Sequence, residues 1–133
     1  MNRPWVHLTP STLLAIHEKV TATPGEPPSA NNMAWLEASV ATPQATKFGV
    51  PLLKDGVEIA AAYLFFLCRN HPFRKENNRT ALAACLVFLQ RNRLLYPVKL
   101  DVEAWEKLVL DVAASRLDRE GTTVRLRELT PHP

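Results

Sequence analysis

The sequence predicts an all-α, single-domain helical bundle of about six helices, and three observations carry that expectation. Two stretches, Val57 to Cys68 and Ala81 to Leu89, leave no polar face, which is the pattern of central helices surrounded by others. A third, Asp101 to Ser115, places apolar and charged residues at helical period. The whole chain of 133 residues is 47% apolar with only four glycines, enough to bury one core without a disulfide or a metal. One domain over residues 1–133 is therefore expected.

The first helix is opened by Thr9-Pro10-Ser11-Thr12, where Thr9 can cap and Pro10 suits a position that needs no amide hydrogen. Leu13, Leu14, Ile16 and Val20 mark its buried side. Three prolines and a glycine between Ala22 and Pro28 stop it. Ser29 is a cap for a second helix of about Ala30 to Ala41, ended by Pro43. Ala45 to Leu53 loses helical period and holds Gly49 and Pro51, so an exposed loop or short hairpin is expected. Asp55 caps a third helix from Gly56 to Asn70. The fourth contains the apolar run that starts at Thr80. In the fifth, Val102, Trp105, Leu108, Val109 and Val112 should face inward and Glu103, Glu106, Lys107 and Asp111 outward. A short helix near Asp118 to Leu129 closes the fold.

Cys68 and Cys85 lie in apolar runs without CxxC spacing, as small buried hydrophobes in a reducing compartment would. The N-terminal residues lack the apolar centre of a signal peptide, and the longest apolar run is about half a membrane span. A cytoplasmic protein with no membrane contact is expected. The formal charge of +3 is spread among acidic residues rather than gathered in a basic stripe, so direct nucleic-acid binding is not expected.

The chemistry-bearing residues lie between the two apolar helices, in His71-Pro72-Phe73-Arg74-Lys75-Glu76-Asn77-Asn78-Arg79. Pro72 ends the third helix and leaves His71 at its C-terminus. Asn77 or Asn78 is expected to cap the next helix, whose first-turn amides then point at one space, as an anion site requires. Arg79 adds forked donors suited to phosphate. A histidine base facing a phosphate cradle is the equipment for phosphoryl or nucleotidyl transfer. Taken singly, the histidine is a helix-end residue, the asparagine a cap, the arginine a solvated charge and Phe73 a core anchor; the spacing joins them.

This segment resembles the Fic/Doc family signature His-x-Phe-x-acid-small-Asn-x-Arg, and its surroundings from Ala60 to Asn92, with Arg79-Thr80-Ala81-Leu82 and Phe88-Leu89 before Asn92, resemble the Doc branch. Weaker likeness appears at Leu8-Thr9-Pro10, Ile16-His17, Leu36-Glu37-Ala38-Ser39 and Leu117-Asp118-Arg119-Glu120. The resemblance implies a Fic-type helical fold. His71 would be the general base, Phe73 the core anchor, Asn77 a shaper of the anion hole and Arg79 the holder of nucleotide phosphate. AMP-transferring members have glycine where this chain has Asn78, and a side chain there resembles Doc. The implied activity is phosphorylation by ATP of elongation factor Tu, with magnesium, and the implied partner is a Phd-type antitoxin whose C-terminal segment folds as a helix in a groove of the toxin. The Ala45 to Leu53 loop is where the family positions its target.

The chain departs from the pattern at two positions. Lys75 stands where the family holds magnesium with an acid, and Glu76 replaces a small residue. Glu76 is the one carboxylate left in the loop for a metal, displaced by one residue, and Lys75 could instead neutralise phosphate directly. The alternatives are a catalytically inactive binding protein of the same fold and an AMP transferase.

Overall fold

Asp55 starts the central helix with a complete capping box. Its carboxylate accepts from the amides of Val57 at 2.7 Å and Glu58 at 3.3 Å, while the Glu58 side chain accepts from the Asp55 amide. In the computed structural model, which describes residues 5–21, 32–95 and 100–130, this helix is α3 (Gly56–Asn70). It packs against α2 (Met33–Ala41), α4 (Asn77–Arg91), α5 (Val102–Ala113) and α6 (Arg119–Leu129), and α1 (Pro10–Thr21) lies across α4. A hairpin of β1 (Thr46–Lys47) and β2 (Val50–Pro51) occupies the expected loop. The described residues thus form the helical bundle that the apolar runs predict.

The core is built on α3 because an apolar helix with no polar face must be covered on every side. Tyr63, Leu64 and Leu67 share one core cluster with Leu13, Leu36, Phe88, Leu89, Leu108 and Leu126, all effectively withdrawn from solvent. Both cysteines are buried and unpaired, and burial pushes the Cys68 thiol up to about 12, so it stays protonated. Tyr63 accepts the Leu8 amide at 3.2 Å, and burial raises its hydroxyl to about 12. Gly56 lies under Trp5 and Leu94, where a Cβ would collide with both. Asn92 fastens the start of the chain to the end of α4: its Oδ1 accepts from the Val6 amide at 2.8 Å, and its Nδ2 donates to the carbonyls of Val6 and Phe88.

Three expectations about elements need correction. The described part of α2 is capped by Asn32, whose Oδ1 accepts from the Trp35 amide at 3.2 Å, with Met33 the first helical residue; Ser29 lies outside the described residues. The Asn32 amide is itself donated to the Pro72 carbonyl at 3.0 Å, so tertiary contact fixes this start. In α5, Val102 is exposed because it stands at the first turn, beyond the packed stripe. Asp111, expected outward, is buried. It can be, since Arg116 at 2.8 Å, Arg125 at 3.1 Å and Lys107 at 3.5 Å surround its carboxylate. Among the described residues no helix is long and apolar enough to cross a membrane.

Candidate functional site

The end of α3 is set by backbone chemistry. Pro72 cannot continue a helix, and His71 turns the chain out in the left-handed region at φ 46. Asn70 Nδ2 donates to Ser39 Oγ at 2.8 Å, which ties this helix end to α2. His71 is exposed.

Phe73 turns back and plugs the loop into the core, with only 2% of its surface exposed. Its ring lies flat on the imidazole of His17 from α1, with centroids 4.0 Å apart and planes within 5°. The Asn77 amide grips the same residue twice. Its Oδ1 accepts from the Phe73 amide and its Nδ2 donates to the Phe73 carbonyl, both at 2.9 Å.

That grip overturns the expectation that Asn77 or Asn78 caps α4. The N-cap is Glu76, in the left-handed region at φ 62, and its side chain makes no capping hydrogen bond. Asn77 is already helical and spends its side chain closing the loop, and Asn78 follows it in the first turn. The earliest α4 amide with an intrahelical acceptor is Thr80, which reaches the Glu76 carbonyl at 3.0 Å. The amides of residues 77–79 therefore form the positive end of a helix that no side chain caps.

His71, Glu76, Asn77, Asn78 and Arg79 together line one open cleft of about 340 Å³. Phe73 lies beneath the loop as an anchor, and Lys75 is exposed but not part of the cleft lining. Arg79 Nη1 meets Glu76 Oε2 at 3.0 Å across one turn. This exposed pair contributes little stability, on the order of 0.5 kcal/mol. Among the described residues no three His, Cys, Asp or Glu side chains converge as metal ligands. The single carboxylate of the loop already faces a guanidinium, and a lysine ammonium has no lone pair for a cation. These residues do not fit the divalent-metal site that the family resemblance implies.

A second concavity of about 430 Å³ adjoins the first and shares Asn78 and Arg79 with it. Val20 of α1, Leu82, Ala83 and Leu86 of α4, and Val109 and Leu110 of α5 line it. The apolar sequence of α4 thus serves two purposes. Thr80, Ala81, Ala84, Cys85, Phe88 and Leu89 fill the core, whereas Leu82, Ala83 and Leu86 are half-buried along the groove.

His17 is the site residue that sequence reasoning missed. Its position between Leu13 and Val20, four residues after one and three before the other, put it on the buried face, but no pattern announced its partners. Besides stacking on Phe73, its Nε2 lies 3.0 Å from the Lys75 carbonyl.

Residues 7–89 match the model of the Fic/DOC family. The chain is 38% identical over 91 residues to Toxin Doc of Mycolicibacterium smegmatis, covering 68% of this chain and 70% of that protein. It is 34% identical over 86 residues to Protein kinase doc of Escherichia phage P1, covering 65% and 68%.

Proposed function

The chain belongs to the Fic/DOC family, on its Doc side, and from that premise we propose that it is a toxin that transfers the γ-phosphoryl group of ATP to a hydroxyl of elongation factor Tu. The observation that carries this reading is the shared cleft, in which a histidine faces the uncapped N-terminus of α4 with Arg79 at its rim. Such a cleft has the parts for phosphoryl transfer: a proton acceptor, oriented amide dipoles and a fork of cationic donors. The relatives' own names, a toxin and a protein kinase, point the same way.

In this reading His71 takes the proton from the target hydroxyl. The oxygen attacks the γ-phosphorus, the bond from that phosphorus to the β–γ bridging oxygen breaks, and ADP leaves. The first-turn amides of α4 and the Arg79 guanidinium hold the phosphate oxygens as charge shifts toward the bridge. Arg79 must exchange Glu76 for phosphate, which the weak exposed pair permits. Lys75, at the position of the family's acid but outside the cleft lining, adds positive charge to the loop around the cleft, and no step is assigned to a metal. Asn78 brings a side chain into the cleft where an AMP transferase would have glycine, which favours phosphate over AMP as the transferred group.

The antitoxin implied by the toxin relatives is proposed to be of Phd type. Its C-terminal segment would lie as an amphipathic helix in the apolar groove between α1, α4 and α5, where it would abut Asn78 and Arg79. A second reading keeps the fold and this partner and drops the catalysis. Lys75 in the acid's place and Glu76 paired with Arg79 favour it.

Transfer of label from γ-³²P-ATP to purified elongation factor Tu, by the chain and by its Lys75→Asp variant with magnesium, decides between them. Transfer by both supports the kinase, and transfer by the variant alone shows a site silenced by Lys75. No transfer by either removes the kinase reading and leaves the binding protein.

A further inference from the structure

The loop that carries the cleft is short and begins and ends on residues in the left-handed region, so something must hold it in shape. Its backbone carbonyls are gripped in turn. Pro72 accepts from the Asn32 amide, Phe73 from Asn77, and Lys75 from His17. The last of these comes from α1, a helix that contributes nothing to the cleft lining.

His17 is 8% exposed and makes two different contacts with the loop, a parallel stack on Phe73 and a hydrogen bond to the Lys75 carbonyl. Facing a carbonyl, Nε2 must carry the hydrogen. Nδ1 is buried and has no hydrogen-bond partner among the described residues. A buried polar atom left unsatisfied is costly. A phenylalanine or leucine would fill the same space without that cost, so packing alone does not account for an imidazole here.

The peptide group supplies the link to the site. In a trans peptide the carbonyl and the following amide point in opposite directions. Holding the Lys75 carbonyl toward α1 therefore turns the Glu76 amide away from α1, immediately before the first-turn amides of α4. We propose that His17 is a positioning residue: through the Lys75 carbonyl and the Phe73 ring it fixes the Lys75–Glu76 peptide, and so adds the Glu76 amide to the row of donors that receives a nucleotide phosphate. The proposal takes its ligand from the phosphoryl-transfer reading above, whereas the positioning of the loop stands apart from it.

The test compares the full chain with two variants. His17→Phe keeps a ring on Phe73 and removes the donor. His17→Gln carries an amide nitrogen as many bonds from the backbone as Nε2 and restores the donor without the ring. Hydrogen exchange is followed at the Phe73 and Thr80 amides, both hydrogen-bonded at the ends of the loop, together with ATP titration and the thermal midpoint. In His17→Phe, exchange at these two amides should quicken and ATP bind about tenfold more weakly, the cost of one donor in a phosphate site. His17→Gln should return both toward the wild-type values.

Wild-type exchange in His17→Phe would overturn the proposal whatever ATP does. So would acceleration spread over the whole chain in both variants, which would mark His17 as packing alone. If the wild-type chain itself fails to bind ATP, the nucleotide reading fails. Exchange confined to the loop and rescued by His17→Gln would then still uphold the positioning role.

Discussion

His71 and Glu76 adopt φ 46 and φ 62, a region that costs a side-chain-bearing residue about 1 kcal/mol or more. The contacts that hold them there are residue-sized: a plug at Phe73, a two-way amide grip by Asn77 and a brace by His17. The exposed His71 ring takes no part in that support, so it can be removed without loosening the loop. His71→Ala should leave the thermal midpoint within about 1 °C to 3 °C of wild type, as exposed substitutions do. It should lower phosphoryl transfer by about 10²- to 10⁴-fold, the usual contribution of a general base. Retained transfer in a label assay would remove His71 from the mechanism. The sequence made His71, Asn77, Asn78 and Arg79 legible because their spacing around a proline and a helix start is a one-dimensional signal. It could not show that Asn77 spends its amide on Phe73 rather than on a cap, since both uses put asparagine at the same boundary. His17 was hidden for a similar reason: its partners are 56 and 58 residues away in sequence, and only the fold brings them together.

Among the elements, α6 is tied to its neighbours by charge. Arg127 donates to Asp55 at 2.9 Å, and Arg125 donates to Asp111 at 3.1 Å, so two carboxylates tie this helix to the caps and flanks of α3 and α5. Burial alone would raise the Asp55 carboxyl, but Arg127 and the Val57 and Glu58 amides outweigh it and hold the group below the usual carboxylate range. Hydrogen bonds from Arg116 and Arg125 hold Asp111 low in the same way. A carboxylate with a depressed folded-state value contributes stability that is present above its unfolded value, near pH 4, and lost as pH falls through the folded value. The thermal midpoint should therefore hold near neutral pH and decline below about pH 4, with a shallower decline in Asp55→Asn and Asp111→Asn. A wild-type midpoint unchanged down to pH 3 would rule out this attribution. The aspartate cap of α3 was readable at Asp55, and the starts of α5 and α6 were placed near Asp101 and Asp118, both of which prove to be caps as well. The inward turn of Asp111 was not, because a period shows which face is polar but not where distant arginines fold back onto it.

For the molecule as a whole, the apolar runs gave the architecture correctly: α2, α4, α5 and α6 cover α3, and α1 lies on α4. They overstated the burial of α4, because a groove wall and a core face carry the same residues. The groove joins the cleft at Asn78 and Arg79, so one bound helix could cover apolar surface and obstruct phosphate together.

The Asn92 staple has a consequence of another kind. Its bonds to Val6 span 86 residues, about two thirds of the 133-residue chain, so they cannot form until the helices between have found their places. Contacts of such long sequence separation close late because the entropy of the loop is lost before the contact repays it. The staple should thus act on lifetime rather than on the speed of assembly. In stopped-flow measurements Asn92→Ala should unfold faster, by about tenfold or more for the loss of the side chain's three hydrogen bonds, while its refolding rate stays nearly that of wild type. Equal slowing of refolding would instead place the pairing of the two chain regions in the folding nucleus.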